Sequence, residues 1–559
     1  MEFDSIVTDV VVGYLRHHPV HATDIGHHEH DGIWPDLTDA GRQERVAWVR
    51  GAIGQLEGLE AGSLTPDQTI DRRILLENLA AVLFHEETLR EGSWNPLGYV
   101  YLFGNGLFAL LAREFAPLPE RLASAASRMR GLPDALLAAR ATLGSGGPRP
   151  VSRFHAQKAL ERADGIADLC RSALREAEGC GDEALASEVR SAAGEAEEAV
   201  TAFKSWLADE LLPRVDGDFR LGPELYAEKF RHALKTEVTP EDLAATASAA
   251  YEEVRAEMLR LARELWPAWI GDEPPPSDPD QLVRRVLDAI AADHPRAEEL
   301  LDFCRAENER IEAFVRERDL IGLADEPLKI IWTPEFLRSS GGAMLIPPGP
   351  LDRGLDSFFA ITPMPDDWTD ERKESYLRED NARMLRLLTI HEAVPGHYLQ
   401  LAYSNRCDSL ARTIFQSGVF AEGWAVYVTQ VMMDVGYGAE DPALQLVHWK
   451  FFLRSITNTL MDIRIHTGSM DEREAMQLMV EGGFQEEGEA AAKWDRARLS
   501  STQLCEYFLG SVLMHELEAE ARRRASAEGR EFAYRPFLES VLAHGTPSMP
   551  VIRDILFAG

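Results

Sequence analysis

Over most of its length the chain repeats apolar residues at spacings of three and four, inside segments rich in Ala, Glu, Arg and Leu. That period lines one face of an α-helix, whereas a half-buried strand needs a period of two. Helix starts are marked as well. Thr65-Pro66-Asp67-Gln68 joins a capping box to a proline at the first helical position, and Thr239-Pro240-Glu241-Asp242 is a similar start with Asp in the third place. The stretches 143–150 and 271–280, rich in Gly and Pro, are too short to be free linkers and read as loops between helices. No repeat of solenoid length stands out.

The pattern changes only around 327–362, where Leu-Lys-Ile-Ile-Trp-Thr, Gly-Gly-Ala-Met-Leu-Ile and Ser-Phe-Phe-Ala-Ile-Thr are short, apolar and bounded by Gly, Pro or Asp. Such segments predict strands. The expectation is a mainly α, large multi-helix chain with one small sheet, forming a single unit over 1–559 with approximate lobes at 1–325 and 326–559. Its 45% hydrophobic content supports a packed core. A net charge of −35 argues against a nucleic-acid or anionic-membrane partner, since either requires a basic face. Five scattered cysteines without a Cys-x-x-Cys pair argue for a reduced compartment and against a thiolate zinc site. The acidic N-terminus carries no signal-peptide pattern, and no segment reaches the ~18 apolar residues of a membrane span. A cytoplasmic location is expected.

Chemistry concentrates in Thr389-Ile-His-Glu-Ala-Val-Pro-Gly-His-Tyr-Leu-Gln400. Zinc hydrolases commonly carry His-Glu-x-x-His, two ligands one turn apart with Glu as base. Here the second histidine, His397, stands six residues after His391. On a straight helix six residues rise about 9 Å and leave the rings roughly 120° apart, too far for one zinc with ~2.0–2.1 Å bonds. Pro395 removes that objection, because it cannot bond to the carbonyl of His391 and its ring clashes there. Gly396 then accepts backbone angles costly for other residues. A helix broken at Pro395-Gly396 can bring His397 back to His391. Glu422, in Phe-Ala-Glu-Gly-Trp-Ala-Val-Tyr, is the best third ligand. Two histidines and a glutamate leave a position for water, as catalytic zinc sites do, with Glu392 placed to take the proton. His85-Glu86 and His515-Glu516 lack a downstream histidine and read as ordinary helix residues. His27, His28 and His30 lack matched ligand spacing, which favours a surface or capping role.

His-Glu-Ala-Val-Pro-Gly-His with Gln400, and Glu-Gly-Trp-Ala at 422–425, resemble the two signature motifs of the bacterial domain-of-unknown-function 885 family, related to the helical zinc peptidases called gluzincins. The resemblance covers nearly the whole chain. His18-Pro19, Ala22-Thr23, Gly26, Trp34 to Thr38, Asn95-Pro96, Gly341 to Met344 and Gly545 to Pro547 also fit it. It implies a two-lobed, peptidase-like fold and a zinc hydrolase with one ion per chain, held by His391, His397 and Glu422, with Glu392 as base. The sheet would stand beside the active-site helix and pair with an extended peptide. Two positions depart from the family pattern: Thr429 where another Glu is expected, and Ser501-Thr502 in place of Pro-Gly.

Arg454, Asn458, Asp462 and His466 recur every fourth residue as a polar stripe on an apolar helix, and Ser469 to Glu472 reads as a capping box just beyond it. By spacing alone the stripe is a solvated face or a buried network. Arg496, Gln503, Tyr507 and Gly510 match the family's late motif. The resemblance implies His466 and Tyr507 as donors to the oxyanion. Arg454 or Arg496 would bind a substrate carboxylate, with Gln503 also in contact with substrate. The leading expectation is hydrolysis of amide bonds in short peptides or peptide-like molecules. The alternatives are a metal-dependent hydrolase of an acyl or ester metabolite, and an inactive peptide-binding scaffold.

Overall fold

The computed structural model describes residues 2–333, 343–352, 354–365 and 367–557. Helix accounts for 73% of the chain and strand for 3%, so the fold is mainly α. The expected starts are present. Thr65 accepts the Gln68 N–H while Gln68 returns the bond to Thr65, a complete capping box, and Thr239 accepts from Asp242 N. The box expected at Ser469 lies two residues later: Asp471 and Glu474 cap each other, because the preceding helix runs to Thr467 and Gly468 needs room to turn the chain. Among the described residues, no helix is long and apolar enough to cross a membrane.

The chain forms two compact units. The first comprises Met1–Phe219, Pro348–Leu355 and Ser409–Phe415; the second comprises Arg220–Pro347, Asp356–Asp408 and Gln416–Gly559. In the first, the helices Leu118–Gly144 and Glu183–Trp206 pack along each other through alanine-rich faces. Buried Arg128 ties the N-terminal segment to this layer, donating to the Pro19 carbonyl at 3.2 Å and to Thr23 Oγ1 at 2.8 Å.

The second unit holds the one sheet found among the described residues: β1 (Leu328–Trp332), β2 (Ala343–Ile346) and β3 (Ser357–Ile361), in the order β1-β3-β2. β1 runs parallel to β3 with Leu328 opposite Ser357, and β2 runs antiparallel with Ala343 opposite Ile361. Gly341 and Gly342 lie outside the described residues. Phe359 and Ile361 of β3 pack with Leu300 and Cys304 of the helix Leu300–Glu317 and with Leu385 of the helix Ala382–Glu392. Burial of these apolar side chains, worth about 1.5–3 kcal/mol for each large one, seats the sheet on the helix that ends in His391-Glu392.

Candidate metal centre

Asn381 caps the helix Ala382–Glu392, accepting from Arg383 N and Met384 N. The helix stops at Glu392. Ala393 leaves helical angles (φ −104°, ψ −102°), the Val394–Pro395 bond is cis, and a second helix begins at His397 and runs to Ser404. The break falls between the two histidines, as the Pro-Gly step predicts. Only glycine fits at 396, since a Cβ there would lie 1.9 Å from the carbonyl oxygen of His391 and 2.3 Å from that of Ile390. The Gly396 N–H instead donates to Ile390 O at 3.0 Å, folding the second helix back onto the first.

Glu422 arrives on the helix Gly418–Asp434, capped by Ser417. Two links, one direct and one through Thr546, hold this helix to the broken one. Trp424 Nε1 donates to the Pro395 carbonyl at 2.8 Å, and Thr546 links Gln400, whose Nε2 donates to Thr546 Oγ1 at 2.6 Å, to Ser417, whose N–H donates to Thr546 O at 2.8 Å. The Gln400 and Gly-Thr-Pro motifs therefore serve to position the site.

In the resulting cluster the ligand atoms of His391, His397 and Glu422 all lie within 4.8 Å of one another. His397 Nε2 stands 3.3 Å and His391 Nε2 3.8 Å from Glu422 Oε2, and the two rings meet nearly at right angles (84°). Donors on a tetrahedral zinc with ~2.05 Å bonds are roughly 3.3 Å apart, so the set is of the right size. Glu422 Oε2 is buried without a hydrogen-bond partner, an orphan that a cation between the three groups would satisfy. Burial opposes its charge, yet His391 and His397 hold the Glu422 carboxyl well below the usual carboxylate range. His397 is raised in turn: burial disfavours its cation, and the close negative charge of Glu422 outweighs that.

Glu392 points elsewhere than the ligands' shared oxygen. Its Oε2 accepts the Leu345 N–H of β2 at 3.0 Å, so an edge strand holds the carboxylate beside the cluster. Tyr507, at the start of the helix Glu506–Ala527, accepts from Arg496 Nη2 at 3.2 Å. Its hydroxyl is pushed up to about 12 by burial and then by the charge of Glu422. Arg496 Nη2 also donates to Gln503 Oε1 at 2.7 Å, so the three late-motif residues form one bonded group.

The structure does not bring His466 to this group. Its Nε2 faces the carbonyl oxygens of Ala497 (3.1 Å) and Ser500 (2.9 Å), and its ring stacks on Tyr226 at 5.6 Å. Asp462 accepts from Tyr226 Oη at 2.6 Å and from Thr502 N at 2.9 Å. The lower stripe is thus a buried network that supports the 497–502 corner. Arg454, at its upper end, lies 3.7 Å from Glu379 and 3.8 Å from Glu489, and its guanidinium lies over Phe451, whose ring edge meets His391. Thr429 spends its hydroxyl on the Ala425 carbonyl of its own helix (2.8 Å). Thr502 takes φ +72°, the left-handed region where the family's glycine would be free of strain.

Sequence reasoning missed Glu506. Its carboxyl packs against Gly418, one turn before Glu422; burial first, then the charge of Glu422, pushes it up to about 8. A second triad, His27, Glu29 and His30, lies in the first unit, with Glu29 exposed. Neighbouring His28 has a structural role, bonded to Asp31 (2.9 Å) and Asp352 (3.0 Å) and stacked on Phe115.

The family described as "Bacterial protein of unknown function (DUF885)" matches residues 19–556, and the chain belongs to it. Among solved structures, a protein from Shewanella oneidensis provisionally described as a lipoprotein of unknown function is 30% identical with a TM-score of 0.86, over 99% of each chain. A protein from Colwellia psychrerythraea, likewise provisionally described as a lipoprotein, is 14% identical with a TM-score of 0.79 over 99% of this chain and 97% of that one, which shows the shared fold. No curated protein matches.

Proposed function

We propose that this member of the DUF885 family is a zinc-dependent hydrolase of the gluzincin kind, cleaving amide bonds in short peptides or peptide-like molecules. One observation carries the reading: two imidazole Nε2 atoms converge on one orphaned carboxylate oxygen across a broken helix, with a further carboxylate held beside them. His391, His397 and Glu422 would hold the ion, which supplies Lewis acidity toward a water and a carbonyl oxygen when bound.

The other steps belong to the chain. The Glu392 carboxylate takes the proton of the attacking water as the new C–O bond forms, and returns it to the leaving nitrogen as the C–N bond breaks. Tyr507, protonated throughout the neutral range, donates its O–H to the oxygen on which negative charge develops. The outer edge of β2, unpaired among the described residues and with its Leu345 N–H turned toward Glu392, offers main-chain groups to an extended peptide, which favours a peptide over a compact ester.

Metal analysis of the purified chain tests the first half, with one zinc per chain expected and activity lost to a chelator. A blind peptide-cleavage screen beside Glu392→Gln tests the second: the variant keeps its zinc and loses turnover by about 10²–10⁴-fold. A wild type that binds no metal ends this reading.

A further inference from the structure

We propose that Arg496 anchors a carboxylate of the substrate, either a peptide C-terminus or an acidic side chain, beside the bond that is cleaved. The inference rests on the hydrolase reading above and narrows it to carboxylate-bearing substrates.

The argument starts from how the cations near the cluster are matched. The helix Glu487–Leu499 carries Glu489, Lys493 and Arg496 at i, i+4 and i+7, and so on one face. Lys493 lies 3.5 Å from Glu489, Arg454 lies between Glu489 (3.8 Å) and Glu379 (3.7 Å), and Lys450 donates to Glu379 at 2.9 Å. These three cations share two carboxylates, with Asp380 adding its field to Arg454. Arg496 is different. Among the described residues it forms no ion pair, although Asp and Glu (93) far outnumber Lys and Arg (58) in this chain. Its bonds go to two neutral groups, the Gln503 carbonyl oxygen and the Tyr507 hydroxyl, both through Nη2.

Neutral acceptors fix the plane of a guanidinium without cancelling its charge, and they leave the rest of the donor fork exposed for a bidentate carboxylate. Arg454, already flanked by acids, cannot take that role. The anchor also stands next to the chemistry. Tyr507, bonded to Arg496, lies in the field of Glu422, and Glu506 feels both Glu422 and Arg496 while packing against Gly418. A carboxylate bound to Arg496 would therefore place its chain alongside the Tyr507 hydroxyl, which this reading aims at the scissile carbonyl.

Binding is measured by calorimetry on the full chain carrying Glu392→Gln and loaded with zinc, so that turnover does not consume the probe. The probes are a short acetylated Ala/Phe peptide as free acid and as C-terminal amide, and amidated versions with one Glu or the matching Gln. We expect the free acid, or the amidated Glu peptide, to bind at least about tenfold more tightly than its neutral partner. Which pair shows the preference identifies the source of the carboxylate. The preference should vanish in Arg496→Gln, partly survive in Arg496→Lys, and persist in Thr429→Val, a buried change at a hydroxyl bonded to its own helix. Arg496 is exposed, so its variants fold, as circular dichroism checks. Equal binding of charged and neutral probes, a preference that survives Arg496→Gln, or no binding by any peptide would overturn the assignment. Its failure is separable from that of the hydrolase. A wild type that cleaves acid and amide alike loses the anchor and keeps the activity, whereas a carboxylate preference without any cleavage keeps the anchor and removes the activity.

Discussion

Alanine at Gly423 or Gly510 tests whether the candidate site depends on how closely two helices cross. A Cβ on Gly423 would lie 2.4 Å from both Cα and the carbonyl carbon of Gly510, and a Cβ on Gly510 would lie 2.1 Å from the Val419 carbonyl oxygen and 2.5 Å from Gly423 Cα. Carbon atoms pack at about 3.5 Å or more, so either methyl forces the helices Gly418–Asp434 and Glu506–Ala527 apart by roughly 1 Å. Every clashing atom is backbone, so no change of rotamer relieves the contact. Overpacking costs about 1–3 kcal/mol where side chains can adjust; here the upper end, about 3 kcal/mol, is expected for each single variant. Once the first methyl has parted the helices the second finds space already made, and the double variant should fall short of the additive sum by about 1 kcal/mol or more. Glu422 precedes Gly423 and Tyr507 lies three residues before Gly510, so the same movement loosens the ligand set and weakens zinc binding by about 10–100-fold. Urea unfolding, read at the midpoint with the slope held to the wild-type value, gives the stability terms, and competition with a chromogenic chelator gives the affinity. Single variants within about 0.5 kcal/mol of wild type, or strictly additive costs, would refute the argument.

Two shorter tests bear on the surroundings. Thr502 holds φ +72° through its N–H bond to Asp462, a bond that glycine keeps, so Thr502→Gly should raise stability by about 0.5–1 kcal/mol, seen as a higher melting temperature. A lower one would mean that the threonine side chain contributes more than the strain removes. Asp380 is pushed from 3.8 up to about 7, by burial first and then by Glu379. Because the folded value is raised, its stabilisation is complete below about pH 4 and is lost as pH rises through 7, by at most about 4 kcal/mol. Asp380→Asn should therefore gain on wild type between pH 4 and 8 in paired thermal melts, and a difference that stays flat across that window would contradict the assignment.

The parts legible in the sequence were those that the backbone enforces locally. Thr65 and Thr239 cap helices whatever lies around them. Pro395 and Gly396 break a helix because a ring clash and a missing Cβ act within one turn, and the break alone determines that His391 and His397 can face each other. The three short apolar segments became strands where length and flanking turns left no room for a helix. Glu506 stayed hidden because its significance comes from Gly418, a residue on another helix, and no spacing along the chain reports that contact.

The polar stripe shows why spacing misleads over longer distances. Residues four apart do not stay on one face of a helix, because each step of four turns 400° and so drifts about 40°. From Arg454 to His466 the drift is about 120° and the rise about 18 Å. A stripe that begins over Phe451, at the edge of His391, must end facing another part of the molecule, and it does so at the Ala497 and Ser500 carbonyls. On the proposed reading, a donor opposite the ligand set has to come from an element that crosses nearby. Tyr507 qualifies because Gly423 and Gly510 let its helix approach that of Glu422 to backbone contact. That Tyr507, rather than His466, lies in the field of Glu422 thus rests on a glycine pair that carries no chemistry of its own.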